Sequence, residues 1–175
     1  MNRTVLRVLA FAAALAAGAA TLAASTAKAV LPQVAEAAKK WKSDAVITHV
    51  STLAGKPDGK ASAWLYTVYS PSANKSAVVT AQDTKVALEE VLRNTSIDAI
   101  GTDYLDSDKA LDAARKAGLK TGSGDIMFGL TLFGKATRKP AIYWTVTVMG
   151  ADGMSSVTLD SKDGTLIKRD DVKLK

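Results

Sequence analysis

Seven segments of the chain are rich in apolar and β-branched residues, with clear alternation of apolar and polar positions at Val46–Val50, and this pattern predicts β-strands. Turn dipeptides such as Asp152-Gly153 and Asp163-Gly164 separate the later segments. Connections this short require antiparallel neighbours. The predicted strands are Ala45–Leu53, Ala63–Ser70, Ser76–Ala81, Ile126–Phe133, Ala141–Met149, Met154–Asp160 and Thr165–Lys168.

Three other segments have apolar residues at a spacing of three and four, which predicts helices over Leu31–Lys42, Thr84–Arg93 and Ser107–Ala117. Pro32 suits the first turn of the first helix. Asp106 or Ser107 can cap the third helix, and Gly118 can end it.

Short matches recur in the same order in the two halves of the chain. Ile47–Lys56 (ITHVSTLAGK) matches Ile126–Lys135 (IMFGLTLFGK), and Tyr66–Val68 matches Trp144–Val146. We therefore predict an α+β fold of two tandem repeats, each a helix packed on a three- to four-stranded antiparallel sheet. The predicted repeats are residues 30–83 and 107–175, with a connecting helix and link over residues 84–106.

The first residues have the pattern of a leader that is removed. Arg3 and Arg7 precede an apolar run, and Ala27-Lys28-Ala29 then offers the small residues that a signal peptidase needs. A membrane anchor is the alternative, but the run is short for spanning a bilayer. We predict a signal peptide over residues 1–29 and a periplasmic or secreted protein.

Composition narrows the possible partners. The net charge of the chain is +6. Removing the three positive charges of residues 1–29 leaves a mild excess, which gives little support for nucleic acid as a partner. The chain has no cysteine, so neither disulfides nor a cysteine-linked lipid can stabilise or anchor it.

The segments Ser107–Ala117, Tyr143–Val148 and Val157–Ile167 resemble those of PepSY-type domains, in which an Ala-rich helix precedes a hairpin with the pattern V-x-L-D-x-x-x-G-x-L/I. The tandem layout is similar to that of β-lactamase inhibitory protein-like repeats, in which two units form one concave sheet. That family relies on disulfides, which this chain lacks. The resemblance implies an exported protein that binds or inhibits other extracytoplasmic proteins, including proteases.

Few residues suit catalysis, and we expect neither an enzyme nor a cofactor. The single histidine, His49, matches Phe128 in the second half, which is typical of a structural position. No glycine-rich phosphate loop precedes a helix. An acidic stretch could supply oxygen ligands to Ca²⁺, but the spacing differs from a calcium loop and also fits the capping of a helix. Its members are Asp98, Asp103, Asp106, Asp108 and Asp112.

Binding is the function that the pattern favours, and two surfaces are candidates. One is the sheet face opposite to the core, because tyrosine gives a large contact area with a polar tip. The other is a basic rim on two hairpin loops. The predicted face residues are Leu65, Thr67, Tyr69, Tyr143, Thr145 and Thr147, and the loop residues are Lys56, Lys60, Lys135, Arg138 and Lys139. The expected partner is an envelope or secreted protein; the alternative is a periplasmic carrier of a small ligand or an envelope polymer fragment, with an apolar pocket between sheet and helices.

Overall fold

The computed structural model describes residues 23–82, 85–92, 98–122, 124–133 and 141–173. A short 3-10 turn (Lys28–Val30) leads into helix α1 (Leu31–Trp41), and helix α2 (Ser107–Lys116) lies in the second half. The strands are β1 (Val46–Gly55), β2 (Ala63–Ser70), β3 (Lys75–Gln82), β4 (Lys85–Val91), β5 (Asp125–Phe133), β6 (Ala141–Gly150), β7 (Gly153–Asp160) and β8 (Leu166–Lys173).

The eight strands form one continuous antiparallel sheet in the order β4-β3-β2-β1-β5-β6-β7-β8. The prediction of two tandem repeats, each a helix on its own sheet, is therefore wrong. The two halves meet where β1 pairs with β5, for example at Val50 and Leu130. This pairing joins strands that are far apart in sequence, so local periodicity could not reveal it.

The predicted helix at Thr84–Arg93 is also wrong, because β4 occupies that segment and pairs with β3 along its length. Val86 lies opposite Ala81, and Leu88 lies opposite Val79. These two apolar residues are two positions apart, which is the spacing of one strand face, whereas Leu88, Val91 and Leu92 follow the spacing of a helix. Alanine, leucine and glutamate favour helices intrinsically, and here pairing with β3 overrides that preference.

The two helices lie on one face of the sheet and share a single buried cluster with it. α1 buries Val34 and Ala38, and α2 buries Ala110, Leu111 and Ala114. The Asp106 side chain caps α2, as predicted, by accepting a hydrogen bond from the Ser107 backbone N–H. No helix in the described ranges is long and apolar enough to cross a membrane.

Three aromatic rings mark the centre of the covered face. Trp64 of β2 and Trp144 of β6 are fully buried, and Phe128 of β5 lies between them. The centroid of the Phe128 ring is 5.8 Å from that of Trp64 and 6.2 Å from that of Trp144. Tilted and edge-on ring pairs at these distances add to the stabilisation from burial. The core thus runs without interruption across the β1–β5 junction.

Candidate functional site: the open face of the sheet

The side of the sheet away from the helices is not covered by any described helix, and we call it the open face. Strand register decides which residues belong to it, because directly paired residues point to the same side. One row crosses four strands through Leu65, Ser51, Gly129 and Thr145. A second row crosses the same strands through Thr67, His49, Thr131 and Tyr143. The sheet therefore brings four of the six predicted face residues onto one surface at its centre.

Tyr69 and Thr147 also lie on the open face, but not all six residues are accessible. Tyr69 and Thr67 are each 7% exposed, and Thr147 is 9% exposed. The Tyr69 hydroxyl donates a hydrogen bond to Asn74 Oδ1 at 3.0 Å. The ring of Tyr69 is thus a structural part of its strand end and offers a partner little contact area. Leu65 is more accessible, at 36%.

Apolar residues that the pattern analysis did not select contribute more accessible surface. Leu53 of β1 is 71% exposed, Met149 of β6 is 49% exposed and Val172 of β8 is 51% exposed. Met149 lies opposite Met154, which in turn lies opposite Val172. Met149 continues the alternation of Tyr143, Thr145 and Thr147, so the sequence did contain a signal for it. The spacing of residues within β6 could not predict that Met149 lies beside Met154 and Val172, which belong to other strands.

Methionine is concentrated on this surface. Apart from Met1, the methionines of the chain are Met127, Met149 and Met154, and all three point to the open face. Methionine has a flexible and polarizable side chain, and it is used at surfaces that adapt to a partner.

Charged residues of the open face lie at its margins. Lys85 and Glu89 belong to the edge strand β4, and Lys168 and Asp170 belong to the edge strand β8. Asp125 lies at the start of β5 and Asp160 at the end of β7. Between these edges, the middles of the six inner strands present apolar, hydroxyl, glycine and histidine positions. An uncharged centre with a charged rim is the typical composition of a protein–protein interface.

His49 stands near the middle of the open face, between Thr67 and Thr131. Partial burial lowers the pKa of the imidazole below its ordinary value, because the charged form loses contact with water. The β1 strand has an irregularity beside it, where Thr48 donates a hydrogen bond from its hydroxyl to the Thr67 carbonyl at 3.3 Å. Burial therefore favours the neutral form of His49 at the centre of this surface.

The predicted basic rim can be followed only in part. Lys135, Arg138 and Lys139 lie outside the described residues. Lys56 and Lys60 are exposed in the β1–β2 hairpin, whose tip packs against α2. The Ser107 hydroxyl donates to the Gly59 carbonyl at 2.6 Å, and Arg115 Nη2 donates to the Pro57 carbonyl at 2.7 Å. This tip is therefore fixed to the helix layer, away from the open face.

Two of the acidic residues at 98–112, Asp103 and Asp106, have separate structural partners. Asp103 forms an ion pair with Lys162 at 2.8 Å, which lowers the pKa of its carboxyl group. Asp106 caps α2 and also accepts a hydrogen bond from the Lys28 backbone N–H at 2.8 Å. Within the ranges that the structure describes, no three Asp, Glu or His side chains are placed to hold a metal ion together.

A groove of about 710 Å³ lies between α2 and the β7–β8 turn. Lys109, Asp112 and Lys116 line it together with Asp163. Its lining carries charges of both signs at the margin of the fold, which differs from the apolar pocket between sheet and helices expected of a carrier.

Comparisons with known proteins show the fold alone. No family model matches the chain, and no curated protein matches it. One solved structure with a similar fold is that of a "putative lipoprotein" from Clostridium difficile 630, with a TM-score of 0.53 and 15% sequence identity. The similarity covers 81% of this chain and 92% of that protein.

Proposed function

We propose that this protein is an exported, non-catalytic binding module that recognises another envelope or secreted protein through the open face. The observation that carries the proposal is the composition of that face: an uncharged centre with exposed Leu53 and Leu65, bordered by charged edge strands and by Asp125 opposite Met149. Apolar contact at the centre supplies affinity, and the charged rim supplies orientation.

Several features support a protein partner over the alternatives. A polyanion would require a continuous basic stripe, and the described centre of the open face has no lysine or arginine. A small-ligand carrier would require space between sheet and helices. Most of that space is filled by side chains such as Trp64, Tyr66 and Trp144, which are fully buried. An apolar pocket between α1 and β1, beside Ala38 and Ile47, holds only about 190 Å³, whereas small-molecule sites are typically roughly 300–1,000 Å³.

Export is part of the proposal. It rests on the predicted leader and agrees with the description of the structural neighbour as a lipoprotein. The PepSY-like segments extend the proposal to inhibition of the partner. That extension predicts that a captured enzyme loses activity when this protein is added in excess.

The test is capture from envelope extract by the mature protein recovered from the periplasm, at low and moderate salt, with identification by mass spectrometry. The variants Leu53→Lys and Leu65→Lys place a charge in the apolar part of the open face. Each should reduce retention of the partner about tenfold or more, because a lysine in a desolvated interface loses hydration.

Leu92→Lys is the matched control, because Leu92 is 96% exposed and lies just beyond the end of β4. This control should retain the partner, and circular dichroism should show all three variants folded. Equal retention by every variant would refute the open face as the binding surface. Loss of the wild-type complex at moderate salt would instead favour the basic loops.

A further inference from the structure

Residues 25–28, which the pattern of small residues assigns to the leader, belong to the folded body. The backbone N–H of Ser25 donates to the Ala61 carbonyl at 3.0 Å, and the Ala61 N–H donates back to the Ser25 carbonyl at 2.9 Å. The indole N–H of Trp64 donates to the same Ser25 carbonyl at 2.9 Å. Ser25 thus supplies the acceptor for a buried tryptophan.

Ala27 and Lys28 form further hydrogen bonds with the folded body. Ala27 is fully buried, its N–H donates to the Ser107 hydroxyl at 3.0 Å, and its carbonyl accepts the hydroxyl of Tyr66. The Lys28 N–H donates to the Asp106 carboxylate at 2.8 Å, and its ammonium lies 4.8 Å from the centre of the Tyr104 ring. This short segment therefore joins the β2 strand to the start of α2.

Cleavage after Ala29 would remove all of these contacts. Trp64 and Tyr66 are both 0% exposed, so each would keep a buried donor without its acceptor. The new amino terminus would be the backbone nitrogen of Val30, a residue that is only 4% exposed. A charged ammonium group would then replace a neutral amide at the edge of the core.

We infer that signal peptidase cuts before Ser25, after Ala23 or Ala24, and that the mature chain keeps Ser25–Lys28 as part of its core. For a cut after Ala23, Thr21-Leu22-Ala23 has short side chains at both positions that the peptidase reads, and for a cut after Ala24 the residue before the cut is again alanine. Ala23 is exposed, so an amino terminus at this point reaches solvent without strain on the fold. The inference rests on the predicted leader and is independent of what the open face binds.

The experiment is expression of the full chain, residues 1–175 with a carboxyl-terminal tag, in a Gram-negative host. The periplasmic fraction is purified, and its intact mass and amino-terminal sequence are measured. We expect a chain that starts at Ala24 or Ser25. A start at Lys28 or Val30, or an uncut chain, would overturn the inference.

Two leader variants make the test sharper, because the peptidase needs a small residue just before the cut. Ala29→Leu blocks a cut after residue 29 and changes an exposed side chain, so we expect normal processing and an unchanged start. The double variant Ala23→Leu with Ala24→Leu should leave the precursor uncut or move the start downstream. Loss of processing in the first variant, or an unchanged start in the second, would contradict the inference.

Discussion

Trp64 and Trp144 each donate the indole N–H to a main-chain carbonyl 39 residues earlier in the chain, Trp64 to Ser25 at 2.9 Å and Trp144 to Leu105 at 2.8 Å. Both rings are fully buried, and both pack against Phe128. The two hydrogen bonds tie irregular segments of the chain to neighbouring parts of the same core.

Trp64→Phe and Trp144→Phe should each lower the free energy of unfolding by about 1–3 kcal/mol, because each removes an indole hydrogen bond and part of a fully buried ring. Denaturant titration measures the loss. Trp41→Phe is the control, because its indole N–H donates to the exposed Glu90 carboxylate at 2.8 Å. Trp41→Phe should lower the free energy of unfolding by less than about 1 kcal/mol. An equal loss at all three positions would contradict the explanation.

Tyr66 and Tyr104 form a second matched pair. The Tyr66 hydroxyl donates to the Ala27 carbonyl, whereas the Tyr104 hydroxyl is buried without a hydrogen-bond partner among the described residues. Tyr66→Phe should lower the free energy of unfolding by about 1–3 kcal/mol, and Tyr104→Phe should leave it unchanged or raise it. Thermal unfolding of both variants tests this difference, which would be absent if the two hydroxyls were equivalent.

Gly59 provides a test of the contact between the β1–β2 hairpin and α2. Its φ is +78°, and an added Cβ would lie 2.4 Å from the Cα of Asp108. Gly59→Ala should therefore combine backbone strain of about 1–2 kcal/mol with displacement of the helix start. Gly101 has a φ of +66° and open space around a Cβ, so Gly101→Ala should show the strain alone. Similar losses of stability in both variants would mean that the hairpin tip moves away from α2 freely.

Protonation of the Asp44 carboxylate should lower the stability of the protein at acidic pH. Hydrogen bonds from the Ser70 hydroxyl at 2.6 Å and the Ser72 N–H at 2.7 Å lower the pKa of its carboxyl group from 3.8 to about 2. The folded pKa is below the unfolded one, so this contribution is present above about pH 4 and is lost as the pH falls toward 2.

Ser70→Ala removes the hydroxyl that donates to Asp44 and should raise the pKa of Asp44 toward its ordinary value. Carboxyl-carbon NMR titration measures that pKa directly. Asp44→Asn should remove this part of the acid dependence from the unfolding curve. An unshifted Asp44 in the wild-type protein would contradict the hydrogen-bond geometry at the end of β2.

Local pattern was enough to predict most elements, because each has a clear period. The predicted strand Ala63–Ser70 is confirmed with both ends, and the predicted helix Ser107–Ala117 differs from α2 by one residue. These features follow from the side-chain period of each element, which the sequence displays directly.

Long-range contacts account for what the pattern missed. The strand β4 depends on pairing with β3, and the single sheet depends on pairing of β1 with β5. The low exposure of Tyr69 depends on the turn between β2 and β3. There the Asn74 side chain accepts a hydrogen bond from the Tyr69 hydroxyl. None of these partners can be recognised from the spacing of residues within one segment.

The place of β5 beside β1 has a consequence for how the chain acquires its fold. While the protein is being made or translocated from its amino terminus, β1 has β2 on one side and an open hydrogen-bonding edge on the other. That edge stays unfilled until residues near Thr131 arrive to pair with His49. Because such distant pairing is slow and an open edge invites association between chains, we expect folding to finish only after the whole chain has emerged. Exchange of β5 between two chains would then be the characteristic error at high concentration.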